Sequence, residues 1–194
     1  SVAVPLQVEK VIQRAFPANR DELQALTEAL LTEYQQQGNV TSLIFHAWGM
    51  LKLAEQFAAA NDVINASEYA RAGFFYLDEA AELNEQQPRV RYLRARVDAF
   101  LPASAGRCVI ALGDTQFLLA TGLRNNAEIA GKVLVMRYRA LKHCRKEEQA
   151  AALLHRIKQA SPGSLPLTDA PDAAPEWSIG EITDILLPLA GGGQ

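Results

Sequence analysis

The sequence has few of the residues that mark a specialised class of protein. Its 194 residues include two cysteines, two tryptophans and 7% aromatic residues, and no apolar run approaches the ~18 residues that a membrane helix needs. Two cysteines are too few for a disulfide-rich scaffold or a four-ligand structural zinc site. Hydrophobic residues make up 49% of the chain and charged residues 21%. This balance excludes wholesale disorder, and we expect a soluble globular protein.

Motifs that carry chemistry are also missing. No glycine-rich phosphate loop precedes a helix, and no isolated pair of carboxylates stands out as an acid and base couple. His46 lies on an apolar stripe, typical of a buried core histidine, and His155 lies on an ordinary amphipathic helix. His143 adjoins Cys144, but neighbouring helical residues point about 100° apart. We therefore expect no catalytic residue, no metal site, no cofactor and no enzymatic activity.

Helical periodicity runs through the whole sequence. Apolar residues recur at spacings of three and four, and asparagines precede a glutamate by three positions at Asn19 and Glu22 and at Asn65 and Glu68. Gly38 stands where a helix C-terminus is expected. No segment has the alternation of a strand. The pattern predicts helices near 5–16, 20–37, 42–60, 66–84, 88–101, 106–120, 126–145, 147–160 and 178–187.

The centre of the chain has a spacing of small and large residues that suggests closely packed helix pairs. The residues that carry the spacing are Trp48, Leu51, Gly73, Leu77, Ala80, Leu83, Asn84, Pro88, Tyr92, Leu93 and Ala95. Over residues 42–145 the sequence resembles the tetratricopeptide repeat (TPR) superfamily, with degenerate repeats. The predicted fold is all-α, with antiparallel helical hairpins that form either a TPR-like right-handed helical array or an ordinary helical bundle. The resemblance implies binding of proteins or peptides.

Composition divides the chain into three parts. Residues 1–160 are predicted to form the all-helical TPR-like domain. Residues 161–177 contain four prolines and read as an extended acidic linker. Residues 178–194 form a short amphipathic helix and tail, which we expect to dock onto the helical body. Insertion into another molecule remains an alternative, as does homo-oligomerisation through residues 177–189.

The two cysteines lie at one end of a predicted hairpin. Cys108 is near the start of one helix and Cys144 near the end of the next. They are compatible with one disulfide, and the alternative is two unrelated half-buried thiols. A pairable couple and a sequence that starts at Ser1 favour a periplasmic or exported protein, with a cytoplasmic one left open.

Charge is segregated along the chain although the net charge is only −3. Residues 1–88 carry a net −7, residues 89–146 a net +9 and residues 147–194 a net −5. The central basic block suggests a groove that accepts anions. Projected at about 100° per residue, Lys132, Arg139 and Lys142 share one basic face, and Arg91 and Arg94 lie on a solvated side of their helix. Arg96 is distinctive, because it projects into an apolar stripe and needs a carboxylate, an aromatic face or a ligand anion. Nucleic acid is not the expected ligand, because the basic excess is local and most aromatic residues look like core.

These observations predict a non-catalytic adaptor or chaperone-like module that binds a protein or peptide, acidic in character, on a helical groove. The predicted binding residues are Arg91, Tyr92, Arg94, Arg96, Lys132, Tyr138, Arg139 and Lys142. The alternative hypothesis is a small-ligand-binding protein or enzyme with an inter-helical pocket near His46, Trp48 and Arg96.

Overall fold

The fold is all-α, as the periodicity predicted. The structure is a computed structural model that describes residues 3–191, and no strand occurs within that range. The helices are α1 (Leu6–Arg14), α2 (Arg20–Gln37), α3 (Val40–Ala59), α4 (Val63–Glu82), α5 (Pro88–Ala99), α6 (Cys108–Leu119), α7 (Ala127–His143), α8 (Glu147–Ala160), α9 (Leu165–Thr168), α10 (Ile179–Glu181) and α11 (Leu187–Ala190). No helix in the described part of the chain is long and apolar enough to cross a membrane.

Local signals explain most helix boundaries. The Asn19 side chain accepts a hydrogen bond from the Glu22 N–H at 3.0 Å, and α2 ends at Gly38, whose φ of 68° suits glycine. The start of α4 differs from the prediction. The helix begins at Val63, because the Asp62 carboxylate caps it by accepting from the Asn65 N–H at 3.2 Å.

The chain folds into two compact units, which are described separately. Unit 1 comprises the residues up to Glu85 together with those from Glu181 onward, and unit 2 is Gln86–Gly180. The predicted boundaries at residues 160 and 177 fall within unit 2. The last three residues of the predicted helix and tail, 178–194, lie outside the described residues.

Unit 1 is organised around α3, which packs against α2 on one side and α4 on the other. Glycine allows the close approach of α4: a Cβ on Gly73 would lie 2.8 Å from Leu51 Cδ2 and 3.1 Å from the Ala47 carbonyl oxygen. The short helix α1 is fixed to α2 by buried Glu33, whose carboxylate accepts from the Gln7 N–H at 2.7 Å. One of the N–H groups that the first turn of α1 leaves unpaired therefore has its acceptor on α2.

The C-terminal helix docks within unit 1, as expected, with Ile185, Leu186 and Leu189 buried. The Asn39 side chain donates to the Ala190 carbonyl at 2.7 Å. A π-helical turn at Ile182–Leu186 joins α10 to α11. Pro188 follows this turn, and the wider turn accommodates a residue that has no N–H to donate. Homo-oligomerisation through residues 177–189 stays a prediction.

Unit 2 is a run of sequential helix pairs, with α5 against α6, α6 against α7 and α7 against α8. One apolar cluster joins Leu134 and Leu141 of α7 to Leu153 and Ile157 of α8. Cys108 at the start of α6 and Cys144 after the end of α7 form a disulfide, with 5.7 Å between their Cα atoms. The α6 and α7 hairpin is therefore linked covalently.

The predicted linker, residues 161–177, is not extended throughout. It begins with a 3₁₀ turn at Pro162–Ser164 and continues into α9. The prolines here were expected to exclude a helix. Pro162 and Pro166 instead occupy first-turn positions, where no intrahelical N–H bond is required.

Candidate functional site

Two arginines of α5, Arg91 and Arg94, form ion pairs within unit 2. Arg91 Nε lies 2.5 Å from one oxygen of Asp114, and Arg94 Nε lies 2.8 Å from the other. The Asp114 side chain is fully buried, and the arginine side chains are only 16% and 14% exposed. The sequence projection placed Arg91 and Arg94 in solvent. That prediction is wrong, because α6 packs against α5 and brings a buried carboxylate between them.

Arg96 has the aromatic partner that its place in the apolar stripe required. Its guanidinium lies 3.9 Å from the ring centroid of Trp177, and Nη2 donates to the carbonyls of Pro175 and Glu176 at 2.9 and 3.2 Å. The residue is only 2% exposed. Arg96 therefore secures residues 175–177 to α5 and is not presented to an outside ligand.

Arg139 secures the residues that precede 175–177, just as Arg96 secures residues 175–177. It is 4% exposed, and it donates to the carbonyls of Ala99, Leu167, Ala170 and Pro171 at 2.7–3.2 Å. It also pairs with the Asp172 carboxylate at 3.0 Å, and it lies over the Phe100 ring, 4.3 Å from its centroid. We call residues 165–177 the strap, since Arg139 and Arg96 hold this segment against unit 2.

The remaining predicted binding residues differ in their exposure. Tyr92 and Tyr138 are buried, Lys132 is half-buried, and exposed Lys142 pairs with Glu147 at 2.6 Å. The projection predicted one solvated basic face that included Arg139 and Lys142. That prediction is wrong for Arg139, because the strap covers it while Lys142 stays exposed.

A groove with free charge lies instead in unit 1, between α1 and α2. Its volume is about 550 Å³. The lining residues are Gln7, Lys10, Arg14, Ala15, Pro17, Glu22, Ala25, Leu26 and Ala29. Within residues 3–191, neither Lys10 nor Arg14 makes an ion pair. The groove thus combines an apolar floor with two available cations.

Aromatic packing fixes the loop that lines one end of this groove. Phe16 packs edge-on against Trp48, with 5.2 Å between ring centroids, and Gln56 Nε2 donates to the Ala18 carbonyl at 2.8 Å. Ala15 ends α1 with a φ of 60°, which L residues adopt at a cost of roughly 1–3 kcal/mol. The packing of Phe16 maintains this conformation, so the groove is held in place by the core.

The histidines were predicted to carry no chemistry. His46 is buried, its Nδ1–H donates to the Thr27 carbonyl at 2.6 Å, and burial lowers its pKa. Its Nε2 has no hydrogen-bond partner among the described atoms. His143 Nε2 lies 3.5 Å from Asp172, and exposed His155 contacts Gln159. No cluster that could ligate a metal occurs within residues 3–191.

The alternative hypothesis of an inter-helical pocket near His46, Trp48 and Arg96 stays a prediction. The groove of α1 and α2 does not include these residues. A second cavity of unit 1, about 320 Å³ near Tyr34 and Asn84, does not include them either. Arg96 is already covered by Trp177.

Lys10 and Arg14 were not among the predicted binding residues. They stand one helical turn apart, but in the stretch with a net charge of −7, where no local basic excess marks them. The sequence signals that could have indicated the groove are this pair of cations and the small residues Ala25 and Ala29, which are also one turn apart.

Comparison of the chain with protein-family models, curated proteins and solved structures gives no match.

Proposed function

We propose that the protein is a non-catalytic interaction module of the adaptor or chaperone type, and that it binds a segment of a partner protein in the groove between α1 and α2. The observation that carries this proposal is the pairing of an apolar floor with Lys10 and Arg14, which make no ion pair within residues 3–191. A groove of this kind suits a polypeptide that offers both apolar and charged side chains.

Kinship with the TPR superfamily belongs to the same proposal. Its support is the close packing of Gly73 in α4 against Leu51 and the Ala47 carbonyl in α3. Gly73 and Leu51 are two of the residues on which the resemblance rests. The site proposed here differs from the one expected from the sequence, since it lies in unit 1 and uses none of the eight residues predicted to bind.

The disulfide adds a proposal about location. A Cys108–Cys144 bond supports residence in an oxidising compartment, as for an exported protein. Counting free thiols in protein isolated from its native source tests this directly. Two free thiols would contradict it.

A photo-crosslinking amino acid at Ala29 tests the binding function. Irradiated in an extract of the source cells, it should form discrete adducts with protein, because Ala29 lines the groove. The matched control places the same group at Ala151, an exposed position of α8. Adducts at Ala29 should disappear when Lys10→Glu and Arg14→Glu are added. Identical adducts from both positions, or none from Ala29, would contradict the proposal.

A further inference from the structure

The floor of the groove is shaped for close approach by another backbone. Ala25 and Ala29 lie one turn apart on α2 and share the groove with Leu26. Small side chains at this spacing allow an incoming helix to pack near the ~8 Å lower limit of interaxial distances. The floor therefore favours a backbone over a bulky isolated side chain.

Backbone hydrogen bonding favours a helical ligand over an extended one. Both walls of the groove are helices, α1 and α2, whose interior N–H and C=O groups bond within their own helix. An extended segment buried here would leave its own backbone groups without partners. A helix satisfies those groups internally, and it presents only side chains to the groove.

The charges of the groove specify which residues the ligand carries. Lys10 and Arg14 stand one turn apart on α1, so their side chains match two carboxylates one turn apart on a facing helix. Glu22, on the α2 side, matches a basic residue at the opposite edge of that helix. A polyanion such as nucleic acid would instead meet the exposed acidic residues Asp21, Glu22 and Glu28 of α2.

We propose that the occupant of the groove is an amphipathic helix of a partner protein that carries two acidic residues one turn apart beside an apolar face. This inference rests on the proposed function and names the chemistry of its partner.

Three fluorescently labelled peptides of ~18 residues test it, a length at which isolated helices become stable enough to study. The first has a leucine and alanine face bordered by two glutamates one turn apart. The second carries lysines at those two positions, and the third is the first peptide with a central proline. In fluorescence anisotropy, the protein should bind the first peptide roughly tenfold more tightly than the second. The proline peptide should bind more weakly than the first.

Variants of the protein identify the site. Lys10→Glu with Arg14→Glu should reverse the preference between the glutamate and lysine peptides. The control, Arg156→Glu with Lys158→Glu, makes the same charge change on exposed residues of α8 and should leave the preference intact. Ala29→Arg should abolish binding of every peptide, because it fills the floor.

The outcomes separate the inference from the function on which it rests. Equal binding of the glutamate and lysine peptides, abolished in both cases by Ala29→Arg, would overturn the acidic ligand while leaving the groove as a binding site. Full affinity of the proline peptide would overturn the helical ligand. Failure of all three peptides would overturn the inference, and the absence of crosslinks from Ala29 as well would overturn the proposed function.

Discussion

Unit 1 and unit 2 use positive charge in opposite ways. Unit 2 contains the basic block of the sequence, yet Arg91, Arg94 and Arg107 pair with buried carboxylates, and Arg96 and Arg139 hold the strap. Unit 1 has few cations, but Lys10 and Arg14 line an open groove without an ion pair in the described structure. The density of charge along a sequence therefore does not locate the charge that a ligand can reach.

The two tryptophans allow this contrast to be tested unit by unit. Trp48 lies in unit 1 and Trp177 in unit 2. Trp177→Phe leaves a fluorescence signal from unit 1 alone, and Trp48→Phe leaves one from unit 2 alone. Urea unfolding of these single-tryptophan proteins reports the free energy of unfolding for each unit.

Removal of the disulfide should have the largest effect. The bond joins residues 36 positions apart, and closing a loop of that length contributes about 4 kcal/mol in the chain-entropy account. Cys108→Ser with Cys144→Ser should lower the free energy of unfolding reported by Trp177 by that order. A reducing agent should destabilise the parent protein similarly and leave the double variant unaffected. A loss below about 1 kcal/mol would contradict the assigned role of the bond.

Arg139→Met should have the second largest effect and lower the free energy of unfolding by about 3 kcal/mol, since it leaves half-buried carbonyls and Asp172 without their donor. Lys142→Met is the matched control on the same helix. The sequence projection placed both residues on one basic face, but Lys142 is exposed and its loss should change the Trp177 signal little. Equal effects of the two substitutions would show that the strap does not depend on Arg139.

The pH dependence of stability should have opposite signs in the two units. Burial raises the pKa of Asp98 from its ordinary 3.8 to about 7, although Arg107 donates to both carboxylate oxygens. The folded state then binds the proton more tightly than the unfolded state. The contribution of Asp98 to the stability of unit 2 should be complete below about pH 4 and should be lost as the pH rises towards 7. Asp98→Asn should flatten this slope.

Unit 1 should respond the other way through His46. Burial lowers the pKa of His46 below its ordinary 6.5, so the folded state favours the neutral ring. The contribution of His46 is complete above pH 6.5 and is lost as the pH falls through the lowered pKa. His46→Gln should remove that slope from the Trp48 signal. If the free energy of unfolding of each unit keeps the same pH dependence after Asp98→Asn and His46→Gln, that dependence comes from other groups.

The sequence predicted the helices well and the environment of their surfaces poorly. Periodicity and caps such as Asn19 and Gly38 act within a few residues, so they can be recognised locally. Arg139 and Lys142 occupy one sector of α7 in projection. Only Arg139 is covered, by carbonyls 28 to 32 residues further along the chain. No local pattern encodes such a contact.

The candidate site could not be predicted from the sequence for a related reason, since it depends on how helices pack. The sequence did not indicate that Asp114 would pair with Arg91 and Arg94, because that pairing depends on how α6 packs against α5. Lys10 and Arg14 became recognisable as a pair only once α2 supplied Ala25 and Ala29 as a floor. The need of Arg96 for an aromatic or anionic partner was predicted, since its position in an apolar stripe is a local property.

Arginine labelling of the native protein tests the contrast between the units most directly. Phenylglyoxal modification, followed by mass spectrometry of the peptides, measures how readily a reagent reaches each guanidinium. Arg14 should react at the rate of exposed Arg156, whereas Arg96, Arg107 and Arg139 should react only after unfolding in urea. Modification of Arg139 in the native protein at the rate of Arg14 would contradict the assignment of unit 2 cations to its own fold.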